Sequence, residues 1–416
     1  MKVVKLMLIL MAAVLITFGL SGIADAFHDG GVASCESCHT MHNSLRGAGM
    51  WTDGSGVQFK SGPTALLLGT DQSSACLNCH ERDTTSSYAS STKGVTPAGT
   101  LPAQMTPGGD FSWIKTSSGT IGERLGHNIV AADNGYTADT TLTKAPGGTY
   151  PASSLHCSSC HDPHGKFRRL ADGTIVNGES TSKPIYEAGS YPGNEPTADF
   201  AVGTYRLLGG IGYSPKSTPG YAFTNTVPAA MSPSSYNRTE TSTDTRVSYG
   251  ANMSEWCANC HASIHSDAVG SVVHKAGNGS DLGSAIAGNY NLYVKTGDLS
   301  GTSATSYTSL VPFELGTTDY TVIDDYAVND GSKKDGPAGS ANVLCLSCHR
   351  AHGSGWQSMI RYNLSSLMTE LDGGGVPAYT PASRPQAEVV RSYYDRPVSA
   401  FATYQRPLCN KCHIRD

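Results

Sequence analysis

Every cysteine in this 416-residue chain belongs to one of six copies of a five-residue pattern. The copies are Cys35-Glu-Ser-Cys38-His39, Cys76-Leu-Asn-Cys79-His80, Cys157-Ser-Ser-Cys160-His161, Cys257-Ala-Asn-Cys260-His261, Cys345-Leu-Ser-Cys348-His349 and Cys409-Asn-Lys-Cys412-His413. Thiolates are nucleophiles, and a neutral imidazole is a common metal ligand. Two thiols at this spacing with a histidine directly after them form the attachment signature of c-type haem. The thiols add across the porphyrin's two vinyl groups, and the histidine then lies under the ring, where it coordinates the iron. The candidate tethers are therefore Cys35, Cys38, Cys76, Cys79, Cys157, Cys160, Cys257, Cys260, Cys345, Cys348, Cys409 and Cys412, with His39, His80, His161, His261, His349 and His413 as proximal ligands. Disulfides and zinc sites also use paired cysteines. Neither requires a histidine after every pair. Histidine is 14 of 416 residues, so six chance placements have a probability on the order of one in a billion, and the haem signature wins.

A haem held by one histidine leaves a sixth iron position, and what fills it separates an electron carrier from an enzyme. Eight further histidines are available for six sites: His42, His164, His352, His127, His28, His274, His265 and His156, in descending order of promise. His42, His164 and His352 each stand three residues after a motif histidine, in CHTMH, CHDPH and CHRAH. At that spacing a side chain does not easily fold back over its own haem, but it reaches the iron of a neighbour. His127 sits in Gly-His-Asn-Ile-Val, a local pattern often seen for distal ligands in multihaem cytochromes. With histidines in excess, Met41 and Met253 read as packing residues. Two imidazoles per iron leave no substrate position and favour low potentials. The expected role is electron transfer, not catalysis.

The elements that must position these residues are short. A basic start (Lys2, Lys5), an apolar run and Ala24-Asp25-Ala26 form a secretory signal peptide over residues 1–26. Residues 27–416 read as one hexahaem domain, with no membrane span expected after cleavage. The apolar fraction is 38%, against about 45–50% for globular domains on a count that includes glycine. Six porphyrins would supply the missing apolar surface, so the haems themselves can be the core. The formal charge of −5 disfavours nucleic acid as a partner.

The motifs start at 35, 76, 157, 257, 345 and 409, too unevenly for a simple tandem repeat. Glycine and proline interrupt nearly every window, as in Pro107-Gly108-Gly109 and Gly373-Gly374-Gly375. The fold expected is mostly irregular coil with short α-helices and very little β, a multihaem cytochrome c wrapped around a chain of stacked haems. Helical turns are expected at each motif, and longer helices near 281–295 and 384–394.

The combination of motifs carries a resemblance. Phe27-His28-Asp29-Gly30-Gly31, Cys35 through Ser44, Gly126-His127-Asn128-Ile129-Val130, His156 through Lys166, Met253 through His261, Cys345 through Gly353 and Tyr404 through His413 are similar to the filament-forming hexahaem outer-surface c-type cytochromes of metal-reducing bacteria. The resemblance implies six bis-histidine haems stacked in close pairs along one continuous line, in subunits that join head to tail. It also implies that His42 ligates a haem of the adjacent subunit, the one attached at the motif of His349. The function implied is extracellular electron transfer through a conductive surface filament, with other redox cytochromes and extracellular acceptors such as metal oxides as partners. The alternatives are a soluble periplasmic electron shuttle and, less favoured, a nitrite- or hydroxylamine-type multihaem reductase. A reductase needs an open or lysine-ligated iron, and no CxxCK is present.

Overall fold

The computed structural model describes residues 38–39, 44–45, 48–49, 67–80, 108–115, 124–177, 185–186, 196–233, 245–265, 275–362 and 408–413. Its helices are α1 (Gln72–His80), α2 (Met253–His265), α3 (Gly283–Leu292), α4 (Tyr320–Tyr326) and α5 (Cys345–Cys348). Four contain or border attachment positions or fall where the sequence expected a helix: α1, α2 and α5 carry motifs, and α3 occupies the predicted stretch near 281–295. The helix expected near 384–394 lies outside the described residues. Single 3-10 turns carry two more motifs, at Cys157–Ser159 and Leu408–Lys411. The helices are short because their sequences carry little apolar periodicity, and N-terminal caps start two of them. Asp71 caps α1 by accepting from the Ser74 N–H at 2.9 Å, and Asp319 caps α4 by accepting from the Thr321 N–H at 2.9 Å.

Strands are two to four residues long, as a chain so rich in glycine and proline allows. A four-stranded sheet has the order β4 (Ile175–Asn177), β3 (Phe167–Arg169), β6 (Ala201–Gly203), β5 (Ile185–Tyr186), with β5 parallel to β6 and the other pairs antiparallel. Two antiparallel ribbons complete it: β1 (Ser44–Leu45) with β2 (Ala48–Gly49), and β7 (Ala229–Met231) with β8 (Ser248–Ala251). Backbone hydrogen bonds elsewhere run between loops, which is how a chain with few regular elements satisfies its buried peptide groups.

The apolar core is divided, and its main parts lie against the motif cysteines. Trp113, Tyr290, Leu310, Phe313, Trp356 and their neighbours pack with Cys409 and Cys412. Tyr205, Val247, Tyr249 and Leu344 pack with Cys160, and Leu77, Phe111 and Ile129 pack with Cys157. A smaller cluster of Ala229, Met231, Tyr320 and Ile323 fastens α4 to the β7–β8 ribbon. Glycine is demanded by close approach at Gly353, among other positions: a Cβ there would lie 2.6 Å from the Asp110 carbonyl oxygen. Three backbone segments cross there, through bridges of Gly353 to Gly109 and to Gly126, directly beside His127 and His352.

Candidate haem-binding sites

Ten of the twelve motif cysteines can be located, and all ten are partly buried free thiols, none in a disulfide. No group of three or more His, Cys, Asp or Glu among the described residues is arranged to hold a metal by itself. The disulfide and zinc readings therefore find no support in the described part of the chain. Cys35 lies outside the described residues, as does the side chain of Cys79.

Consecutive attachment turns neighbour one another. Cys76 has Cys38 within electrostatic reach and shares a hydrogen bond with Cys157. Cys160 interacts with Cys260, and Cys257 shares a hydrogen bond with Cys345. The Tyr362 hydroxyl donates to Cys348 Sγ at 3.9 Å and also reaches Cys409. The six turns thus follow one another in space in the order of the sequence, which the motif positions alone did not reveal.

Two of these joints are built alike. Ser73, three residues before Cys76, accepts from the Cys157 N–H at 3.0 Å. Ser254, three residues before Cys257, accepts from the Cys345 N–H, also at 3.0 Å. Both serines are completely buried. On the opposite side of each joint a serine inside the motif closes the turn: Ser159 Oγ accepts from the His156 N–H at 2.8 Å, and Ser347 Oγ accepts from the Leu344 N–H at 3.1 Å. This device has a signal in the sequence. Ser-x-x-Cys-x-Asn-Cys-His appears at 73–80 and 254–261, and Cys-x-Ser-Cys-His-x-x-His at 35–42, 157–164 and 345–352.

Histidine rings come together in pairs at three places. His39 faces His164, His127 faces His261, and His161 faces His352, each pair with ring centroids 6.1 Å apart and interplanar angles of 16°, 33° and 62°. Backbone carbonyls fix the orientation of four of these or related rings. His161 Nδ1 donates to Arg206 O at 2.6 Å, His261 Nδ1 to Pro146 O at 2.8 Å, His349 Nδ1 to Ser358 O at 2.8 Å and His127 Nδ1 to Ala351 O at 2.5 Å. A carbonyl only accepts, so Nδ1 carries the proton and Nε2 is left with a bare lone pair. Burial reinforces the neutral form. It holds His127 down at about 4, with His261 adding to the fall, and His352 at about 3, with His161 adding to the fall. His161 and His349 are lowered chiefly by burial as well. Phe111 stacks on His352 at 4.6 Å and 21°.

His156 is held differently. Its Nδ1 lies 3.4 Å from Ser73 Oγ and 3.6 Å from Asp71 Oδ1. Burial pushes the Asp71 carboxyl up, but hydrogen bonds from His156, the Ala132 and Ser74 N–H groups and the Ser74 hydroxyl together bring it below its ordinary value. The least distinctive histidine in the sequence thus has a carboxylate orienting it. His42, His28 and His274 lie outside the described residues, and His265 ends α2 with its side chain undescribed.

No family model matches the chain. It is 54% identical to the C-type cytochrome OmcS of Geobacter sulfurreducens, over 94% of this chain and 95% of that protein. The chain belongs to the OmcS family of c-type cytochromes. The cryo-EM structure of the OmcS nanowires from Geobacter sulfurreducens superposes with a TM-score of 0.83 at 54% identity, over 94% of this chain and all of that one. A second solved structure, the Outer Membrane Cytochrome S Filament from Geobacter sulfurreducens, gives 0.81 at 53% identity with the same coverage. The few helices, short strands and dominant coil expected from the sequence are those of an OmcS-type fold.

The residues of this OmcS-family chain fit c-type haem. With a metal–imidazole bond of about 2.0 Å on each side and roughly 1.1 Å from each nitrogen to its ring centre, two axial rings stand about 6.2 Å apart. Three independent ring pairs have that separation. Two hydrogen-bonded imidazoles would sit closer, and unrelated histidines would show no common spacing.

Proposed function

We propose that the chain carries six covalent haems on its six CxxCH motifs, closes each iron with two histidines and conducts electrons along the resulting line. Copies join head to tail into an extracellular filament. The proximal ligands are the six motif histidines. The ring pairs support His164, His127 and His352 as distal ligands toward the first, fourth and third motifs. His156, oriented by Asp71 as carboxylates orient metal-bound imidazoles, joins His42, His28, His274 and His265 as candidates for the other three. When bound, each haem iron supplies a one-electron ferric–ferrous couple. The chain's own contribution is to hold successive sites adjacent, to bury His127, His161, His349 and His352 so that they stay neutral, and to present Nε2 where a backbone carbonyl takes the Nδ1 proton. Closing both axial faces removes the position a substrate would need, so the protein is an electron carrier and not an enzyme.

One observation carries the polymer. His164 trails the third motif and faces His39 of the first; His352 trails the fifth and faces His161 of the third. Each trailing histidine reaches back two motifs. His42 trails the first motif. The same step from there leads out of the chain, to the fifth of six motifs in the preceding copy, where it meets His349 of the partner subunit. An unclosed heterologous contact of this kind generates a filament. The nanowire and filament described for the OmcS relatives agree with that step. Residues 1–26 act as the export leader and 27–416 as a single hexahaem domain. The electron partners are other cytochromes and extracellular acceptors. No helix among the described residues is long and apolar enough to cross a membrane.

The test is His42→Ala. We expect six haems by mass and no filaments by electron microscopy, with one high-spin haem per subunit. Filaments of normal length from the variant would overturn the assignment of His42 as the joint.

A further inference from the structure

The third and fifth motifs share a backbone device that none of the known functions of the chain assigns. Residues Arg206 and Leu207 have φ of 48° and 58°, and Ser358 and Met359 have φ of 58° and 57°. Two consecutive left-handed residues carrying a Cβ are rare, because the Cβ crowds the following carbonyl. Neither pair contains glycine or asparagine, the residues that adopt this conformation readily. Both pairs occupy the same place in the architecture. The first carbonyl of each accepts the Nδ1–H of a proximal histidine: Arg206 O from His161 at 2.6 Å, Ser358 O from His349 at 2.8 Å.

The surrounding ladder repeats bond for bond. Asp162 N–H donates to Leu207 O at 2.7 Å, and Arg350 N–H donates to Met359 O at 2.7 Å. Gly209 N–H donates to Cys160 O at 3.0 Å, and Arg361 N–H donates to Cys348 O at 2.8 Å. Antiparallel bridges join His161 to Leu208 and His349 to Ile360. At the first motif the same outer rungs recur, as the His39–Leu67 bridge and the Leu68 N–H bond to Cys38 O at 2.8 Å. An unfavourable conformation that occurs twice, at equivalent points and with equivalent partners, is held by its surroundings for a purpose.

We propose that Arg206–Leu207 and Ser358–Met359 are positioning residues whose left-handed backbone aims a carbonyl at the proximal imidazole and so sets the donor strength of that ligand. The inference rests on the haem reading of these motifs. A strong Nδ1–H···O=C bond puts more charge on Nε2, which favours the ferric state and lowers the potential of that site. An extended backbone at either pair would turn the carbonyl away, leaving the ring free to rotate and its donor strength lower. The third and fifth sites would then differ from the fourth, where the carbonyl comes from Pro146 at 2.8 Å and no left-handed pair is involved.

Ser358 allows a clean test because its side chain is exposed, so the substitution acts through the backbone. Ser358→Val disfavours the left-handed region, whereas Ser358→Gly and Ser358→Asn accept it. All are made in the full, haem-loaded chain, and covalent haem is counted first by mass. Fewer than six haems in the unsubstituted protein would remove the underlying reading, separately from this proposal. With six haems present, S358V is expected to move one-sixth of the redox titration to higher potential and to alter one low-spin EPR component. S358G and S358N are expected to superpose on the unsubstituted protein. If S358V fails to mature, Ser358→Ala, intermediate in its tolerance, is expected to give a smaller shift in the same direction relative to S358G. Unchanged potentials and EPR in S358V, or an equal change in S358G, would overturn the proposal.

Discussion

Glu314 offers a test of how burial shapes this protein away from its imidazoles. The side chain is completely inaccessible. One carboxyl oxygen accepts from the Met253 N–H at 2.8 Å, at the start of the helix that carries the fourth motif, and the other has no hydrogen-bond partner. Burial pushes the carboxyl from 4.5 up to about 8; the Met253 N–H opposes the rise, and the charge of Glu255 adds to it. Below about pH 4.5 both the folded and the unfolded chain hold the proton. Between pH 4.5 and 8 the unfolded chain releases it while the folded chain keeps it, so stability falls as pH rises. Each pH unit in that window is worth about 1.4 kcal/mol, which puts the total loss at roughly 3–5 kcal/mol. Glu314→Gln keeps the acceptor for Met253 and cannot ionise. Guanidinium unfolding of the haem-loaded protein, followed by Soret circular dichroism, should show the variant and the parent nearly equal at pH 4.5. At pH 8 the variant should be more stable by roughly 3–5 kcal/mol. A difference that does not change with pH would refute the assignment of a neutral buried carboxyl.

Two further outcomes follow from the site geometry. His352→Gly should leave six covalent haems but convert one to a high-spin species, and added imidazole should restore the low-spin spectrum; an unaltered spectrum would remove His352 from the ligand set. Ser254→Ala leaves the buried Cys345 N–H without its acceptor and should lower stability by about 1–3 kcal/mol. Ser73→Ala should match it at the equivalent joint, and a loss below about 0.5 kcal/mol in both would mean that the shared serine is incidental.

Much of the chemistry was legible because covalent attachment is a local requirement. Two thiols and a histidine must lie within five residues to meet one porphyrin, so six candidate sites could be read from the chain. The trailing histidines of CHDPH and CHRAH were legible as residues that reach a neighbouring motif, and His164 and His352 do lie against His39 and His161; His42 of CHTMH lies outside the described residues. Short helices at the motifs and the helix at Gly283–Leu292 also followed from local sequence. The structural repeat was not legible, because unequal loops separate its copies. Its signal lay in two alternating motif types, Ser-x-x-Cys-x-Asn-Cys-His and Cys-x-Ser-Cys-His-x-x-His, and not in any constant period.

By itself, the sequence determined what each candidate site would be made of: tethers, proximal imidazoles and a surplus of distal candidates. Which histidine faces which was decided only in three dimensions. His164 meets His39 across more than a hundred residues, and Ala351 orients His127 across more than two hundred. The physical reason is that an axial ligand need only arrive at the open face of an iron, from any distance along the chain. The carbonyls of Arg206 and Ser358 belong to the same class. Every residue has a carbonyl, so only the folded backbone, held in an unfavourable left-handed turn, shows which ones are aimed at a ligand.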